Sequence, residues 1–363
     1  MDSQKFAALD AMRGIAAILV MIRHTPDFWG SLDVKSNHSY LAVDIFFILS
    51  GFVISHAYGE KLSQGRLSAR RFLLIRWIRL YPLYALAAIV SFVVATVRVS
   101  SGVANETSLL DLFLALLLTL LFLPSKLPPN QGLFPLNFPF WSLFYEVLWN
   151  IVYALVRRWL STPLLAGTLC ISALGLSAIS VYNGSIDMGF SWGYRSFVGG
   201  SLRSFFGIFL GIFLHRLYER RILHRFVVGG VGVPLMVTTA VLVFPTLGGS
   251  ADLAFELLAV ALVFPACVYA GACASINSRA SRVFAVLGFL SYPLYCLHAP
   301  ASQIVRNFLD PSTTPHSVLV GSSFAVLLAI VCLAVDRFYE RPVRKLLTGL
   351  AARMMAGHAR QPG

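Results

Sequence analysis

A chain of 363 residues that is 57% hydrophobic and only 12% charged, with a mean hydropathy of +0.75, is far too apolar for a water-soluble globule, which carries about twice that charge. It reads as an all-α polytopic membrane protein. The net charge of +13 does not argue for nucleic acid, because the basic residues fall in short clusters between apolar runs, as in cytoplasmic loops.

Apolar runs near 6–27, 40–58, 78–98, 139–156, 162–181, 196–214, 226–246, 253–274, 283–300 and 317–335 predict about ten transmembrane helices. The first could pass for a signal peptide, but Arg13 interrupts it and no clear small-x-small site follows, so it is read as a span. An eleventh run, Leu109 to Leu123, is short and precedes the breaker-rich PSKLPPNQGLFP. Six basic residues, Lys61, Arg66, Arg70, Arg71, Arg76 and Arg79, mark the 59–80 loop after the second span as cytoplasmic. If Leu109 to Leu123 crossed, the clusters Arg157/Arg158, Arg216/Arg220/Arg221/Arg225 and Arg279/Arg282 would fall outside. If it is re-entrant or interfacial, all lie inside. The second topology is expected, with both termini cytoplasmic and short outer loops that include SLDVKSNHSY, VYNGSIDMG and the stretch from Asp310 to His316. A domain over 1–345 and a basic tail over 346–363 complete the division. The five cysteines, Cys170, Cys267, Cys273, Cys296 and Cys332, sit in apolar segments without CxxC spacing, so neither a disulfide framework nor a metal site is expected.

The first span, LDAMRGIAAILVMIRHTPD, carries Arg13 and His24. Eleven residues overshoot three helical turns by about 20°, so the two share a face roughly 17 Å apart along the axis. In a bilayer both are costly unless they line a wet cavity enclosed by protein, which predicts a shared catalytic or transport pathway with an anionic ligand entering at the Arg13 end. Asp44, near the outer end of the second span, should lie at the depth of His24. It either orients the imidazole for general-base chemistry or caps its own helix. Glu146, about two turns into FWSLFYEVLWNIVYALVRR, would bind an acceptor hydroxyl, assist the base, or pair with a cation such as Arg195 or Arg203. Arg70, Arg71, Arg76 and Arg79 are either positive-inside anchors or a phosphate clamp, Arg79 being the deepest. Tyr292 and Tyr295 line the cavity or pack. His298 is a second polar group at the His24 level or an interfacial residue. The final YERPVRKLL reads as a structural stop.

The ordered set LDAMRGIAAILVMIRH, VDIFFILSGFVIS, RRFLLIRWIRLYPLY, FWSLFYE, LGFLSYPLYCLH and YERPVRK resembles the membrane-bound acyltransferase 3 family from end to end. The resemblance implies an integral enzyme that moves an acyl group, commonly acetyl from acetyl-CoA, onto a hydroxyl of a surface glycan or another acceptor. It maps the family's Arg and His onto Arg13 and His24, its second-span acid onto Asp44, its membrane-entry arginines onto Arg76 and Arg79, and its WSL-type acid onto Glu146. The common double acid of that last motif is here Glu146 followed by Val147, and no segment matches the extracytoplasmic hydrolase-like domain fused to some relatives.

The expectation is therefore an O-acetyltransferase of the inner (plasma) membrane with acyl-CoA as co-substrate and no permanently bound cofactor. Catalysis falls to His24, Asp44 and Glu146. Donor binding falls to Arg13, Arg70, Arg71, Arg76 and Arg79, and acceptor binding to Glu146, Tyr292, Tyr295 and His298. Direct transfer and an acyl-enzyme route stay open, as does a homo-oligomer, and the expected partners are an exopolysaccharide or other glycan and membrane lipids. The alternative is a transporter or exporter that uses the intramembrane charges as a substrate or proton path.

Overall fold

A computed structural model describes residues 6–102, 107–126, 131–227, 230–308 and 317–358. The predicted loop from Asp310 to His316 falls entirely outside them. The described residues form helices and two isolated β-bridges but no strand. In chain order the helices are α1 (Ala7–His24), α2 (Ser39–Ser63), α3 (Ala69–Ser100), α4 (Leu109–Leu120), α5 (Phe140–Val156), α6 (Thr162–Asn183), α7 (Tyr194–Glu219), α8 (Gly232–Val243), α9 (Gly249–Cys273), α10 (Ser278–Phe308) and α11 (Val318–Met354).

Seven of these, α2, α3, α6, α7, α9, α10 and α11, are long and apolar enough to cross a membrane. The expected count of ten is therefore not reached on length and composition. Helix α1 falls short because Asp10, Arg13 and Arg23 sit within its 18 residues. Helices α4 and α8 have 12 residues each, and a rise of 1.5 Å per residue gives about 18 Å, well under a hydrocarbon core of about 30 Å. Setting α4 aside as non-crossing thus applies with equal force to α8, which the apolar run 226–246 had placed among the spans.

Local chemistry sets the ends. Ser68 caps α3 by accepting from the Arg71 N–H, and Ser108 with Asp111 forms a capping box on α4. Ser161 caps α6, which stops at Gly184 in the left-handed region. The stretch expected as a basic tail from residue 346 is helical as far as it is described. Helix runs on through Arg341–His358, and Leu347, Leu350, Ala351 and Met354 recur on one face at helical spacing, beside α3.

Two close helix pairs frame the interior. A Cβ on Gly51 of α2 would strike the backbone of Ile208 on α7, and one on Gly211 would strike the backbone of Ile48. Likewise a Cβ on Gly14 of α1 would meet Leu287, and one on Gly288 of α10 would meet Asp10. Small residues at these crossings let the backbones touch, as packing between apolar helices requires. Helix α10 is thereby pressed along α1, which brings His298 to His24 although 274 residues separate them.

The α2–α7 pair is locked by a wholly buried ion pair. Arg203 donates through Nε and Nη2 to the two Asp44 oxygens at 2.9 and 2.7 Å, through Nη1 to Asp187 at 3.3 Å and the Met188 carbonyl at 3.2 Å, and again through Nη2 to the Tyr40 carbonyl at 3.1 Å. All five guanidinium N–H groups are used, so the cation is fully satisfied without water. Alongside, Glu256 of α9 accepts from the Tyr40 hydroxyl, the Ser185 hydroxyl and the Ile186 N–H. Two of the loops read as short and outer, SLDVKSNHSY and VYNGSIDMG, are thus tied to the helix ends.

Candidate active site

Six helices enclose a cavity of about 190 Å³. Arg13 enters from α1, Ser50 from α2, Arg76 and Arg79 from α3, Ser142 and Glu146 from α5, Tyr292 and Tyr295 from α10, and Glu340 and Arg344 from α11. Phe46, Phe47, Leu80 and Phe289 complete an apolar side. Glu146 accepts from Arg76 Nη2 and from the Ser50 hydroxyl, both at 2.7 Å, and Glu340 accepts from Arg344 at 3.3 Å. Arg13 lies 3.4 Å from Asp10 on its own helix. Arg79 has no hydrogen bond or ion pair among the described residues. Four guanidinium groups thus face two carboxylates across the cavity, with Asp10 beside Arg13 as a third, and the remaining positive charge is of the sign that suits an anion.

His24 does not line this cavity, so the expectation that it shares one hollow with Arg13 is corrected. Tyr295 lines the cavity, and its hydroxyl donates to the Pro139 carbonyl at 2.7 Å and lies 2.6 Å from the Ser142 hydroxyl. His298, which does not line the cavity, meets the Tyr295 ring with centroids 6.1 Å apart. His298 is fully buried; its Nδ1 is 2.9 Å from the Leu294 carbonyl, and its Nε2 is 2.9 Å from His24 Nδ1. The two rings are coplanar within 2°, the orientation that an in-plane N–H···N bond needs.

This chain of contacts selects the tautomers. A carbonyl only accepts, so His298 carries its proton on Nδ1, and its Nε2 is a lone pair. That lone pair accepts from His24 Nδ1–H, which leaves His24 Nε2 unprotonated. His24 is therefore oriented by another histidine, with a lone pair on Nε2. The expected orienting role of Asp44 is corrected: both its oxygens are taken by Arg203, because α2 packs on α7 and turns Asp44 toward that guanidinium. His298 is neither interfacial nor free.

A further clamp holds the end of α1. Arg306 of α10 donates through Nε and Nη2 to Asp27, both at 2.6 Å, and through Nη2 to the His24 carbonyl at 3.3 Å. Asp27 lies in the turn beyond α1. The Arg306 hydrogen bonds hold its carboxyl below the ordinary range, despite opposing partial burial. A depressed carboxylate contributes stability above its unfolded value and loses it as pH falls through the folded one. Acidification through and below the ordinary carboxylate range should therefore lower the melting temperature of the wild type more than that of Asp27→Asn, measured in detergent. Parallel curves would exclude the clamp.

Other expectations are also adjusted. Glu146 pairs with Arg76, not with Arg195 or Arg203; Arg195 bonds the Tyr182 hydroxyl instead. Arg70 and Arg71 are exposed and lie outside the cavity, in a separate groove, because they sit five or more residues nearer the start of α3 than Arg76, about 7.5 Å or more along its axis. Tyr292 and Tyr295 do line the cavity, with their hydroxyls spent on the Leu80 and Pro139 carbonyls. Sequence reading missed Glu340 and Arg344, which belong to the stretch taken as a stop signal. The available signal was an acid and a base at i and i+4, and a wide turn, Asp336–Glu340, aims them inward.

Comparison with known proteins bears on what this geometry serves. A family model described as "Acyltransferase domain" (Acyl_transf_3) matches residues 6–335. The chain is similar to "Protein 2 in picA locus" of Rhizobium radiobacter, with 40% identity over 187 residues that cover 49% of this chain and 94% of the relative. No solved structure matches.

Proposed function

The chain belongs to the acyltransferase 3 family of membrane acyltransferases, and from that premise we propose that it transfers acetyl from acetyl-CoA to a hydroxyl of a cell-surface polysaccharide or related glycan. The observation that carries the reading is the Leu294–His298–His24 chain, which leaves a lone pair on His24 Nε2 at the opposite end of α1 from an arginine-lined cavity. The donor's phosphates would be met by Arg13, Arg76, Arg79 and Arg344, the residues best suited to phosphate oxygens. Its thin pantetheine arm would run along α1 toward His24. The offset of about 17 Å between Arg13 and His24 suits a long, narrow donor. Tyr295 stands between, so its ring must swing aside for the thioester to reach the base.

In the transfer step His24 Nε2 takes the proton of the acceptor hydroxyl as the oxygen attacks the thioester carbon. The new C–O bond forms and the C–S bond breaks. The departing CoA thiolate then takes the proton from His24 Nε2, which returns the site to its starting state. Ser142, Tyr295 and Glu146 supply polar groups along the route.

The test is the purified protein in detergent with acetyl-CoA and candidate glycans. Free CoA that appears only when a hydroxylated acceptor is present supports transfer, whereas gradient-driven uptake without CoA release would assign a carrier instead. Surface glycans compared by mass spectrometry in cells with and without the gene identify the acceptor. Arg79→Ala, which deletes the cavity's unpaired guanidinium, should raise the KM for acetyl-CoA by about 10- to 100-fold, the worth of one charge-assisted hydrogen bond. Arg13→Ala should act in the same direction. An unchanged donor dependence in both variants would remove the arginines from the donor site.

On this reading the protein lies in the inner membrane with the arginine end of the cavity facing the cytoplasm, where acetyl-CoA is made. Both chain termini then lie on that side.

A further inference from the structure

A second concavity, of about 930 Å³, lies between α3, α5 and the C-terminal stretch of α11. Its walls are mostly apolar, which is ordinary for a surface facing lipid and carries nothing alone. Two other features are not ordinary. Asn150 lines the groove, is only 2% exposed, and has no partner for either its amide nitrogen or its amide oxygen among the described residues. A buried amide in apolar surroundings is paired in nearly every native structure, so this one calls for a ligand. At the groove's rim Arg70 and Arg71 stand exposed, and neither side chain is in an ion pair among the described residues.

The order of these features along the groove follows from the helix directions. Phe140 stacks on Tyr84 with centroids 4.2 Å apart, and Tyr153 meets Phe72 at 6.4 Å. Helix α5 therefore runs antiparallel to α3, and Asn150 lies at a level between Phe72 and Arg76. A visitor to the groove meets two guanidinium groups first, then an amide about one turn deeper, then the apolar wall of Trp77 and Leu80. From Ser68 to Leu80 the helix rises about 18 Å, close to the hydrocarbon depth of one leaflet, about half of 30 Å.

We propose that this groove is a specific site for one anionic glycerophospholipid. Its phosphate sits between Arg70 and Arg71, an ester carbonyl accepts from the Asn150 amide, and an acyl chain lies along Trp77 toward Leu80. The chemistry matches group by group: a fixed negative charge for the arginines, an acceptor at ester depth for the amide, and a hydrocarbon chain for the remainder. Arg76 and Leu80 line both this groove and the arginine cavity, so the lipid would form part of the cavity's outer wall. The site does not depend on which group the protein transfers.

The experiment is native mass spectrometry of the full chain, purified in detergent and exchanged against micelles that contain phosphatidylglycerol or phosphatidylcholine. The wild type should retain one phosphatidylglycerol in preference to phosphatidylcholine. Retention should fall about tenfold both in R70Q/R71Q and in Asn150→Leu. Saturating CoA should leave the bound lipid in place. Because Arg70 and Arg71 are exposed, the double variant tests the site even if Asn150→Leu fails to fold. Equal retention of the two lipids, or unchanged retention in R70Q/R71Q, would reduce the groove to ordinary boundary contact. Displacement of the lipid by CoA would hand the groove to the acyl donor. Either result overturns the proposal.

Discussion

His24→Ala is expected to abolish acyl transfer, with a loss of about 10²–10⁴-fold or more in kcat, the usual worth of a positioned general base. The substitution should leave the fold intact, because His24 is only partly buried and ends its helix. Its partner gives the sharper test. His298→Ala removes the acceptor of the His24 Nδ1–H, so the base loses its enforced tautomer but keeps its imidazole. The expected result is a smaller loss of kcat together with a displaced pH profile and little change in the KM for acetyl-CoA. His298→Gln, which retains a side-chain acceptor, should recover part of the rate. If His298→Ala lowers activity only by lowering the amount of folded protein, with an unshifted pH profile, the histidine pair is structural. An undiminished rate in His24→Ala would refute the catalytic reading altogether.

The largest effect on stability should come from the α2–α7 interface. Asp44→Ala strands the Arg203 cation at full burial, where both side chains have no solvent exposure. Loss of one member of a buried pair costs about 3–5 kcal/mol, offset in part by the weaker contact of Arg203 with half-exposed Asp187. Thermal unfolding in detergent should show a large fall in melting temperature for Asp44→Ala. The double replacement Asp44→Leu with Arg203→Met should regain much of it, because two apolar side chains of similar bulk leave no charge without a partner. The folded fraction of Asp44→Asn should keep its pH profile for transfer. A shifted profile there would return Asp44 to the His24 relay that the sequence suggested. A double variant no more stable than Asp44→Ala would show that the ion pair itself, not the relief of an orphaned cation, holds α2 against α7.

The chain by itself determined a good deal. Its low charge and long apolar runs require a helical protein in a membrane, and the Acyl_transf_3 match over residues 6–335 agrees with the family that the ordered motifs resemble. Within single helices the reasoning carried only in part, since Arg13 and His24 lie on one helix but do not line the same cavity. Arg76 and Arg79 share a face of α3 and do line one cavity with Arg13, because side-chain spacing on a helix is a local property. Pairing across helices is not local. Glu146 had two arginines proposed as partners and took a third, Arg76; Arg203 was free in sequence to meet Glu146 and went to Asp44. Glycine crossings at Gly51/Gly211 and Gly14/Gly288 decide which helix lies beside which, and no periodicity within one segment encodes that choice. The same holds for His298, whose value lies in meeting a residue 274 positions away, and for Glu340 and Arg344, which a wide helical turn rotates into the cavity. The membrane environment and the presence of the charged groups follow from composition and spacing, since each depends only on neighbours in the chain. Which charge neutralises which, and which nitrogen of His24 stays bare, was decided only when the helices packed, because a hydrogen bond reaches about 3 Å and only tertiary contact brings its partners that close.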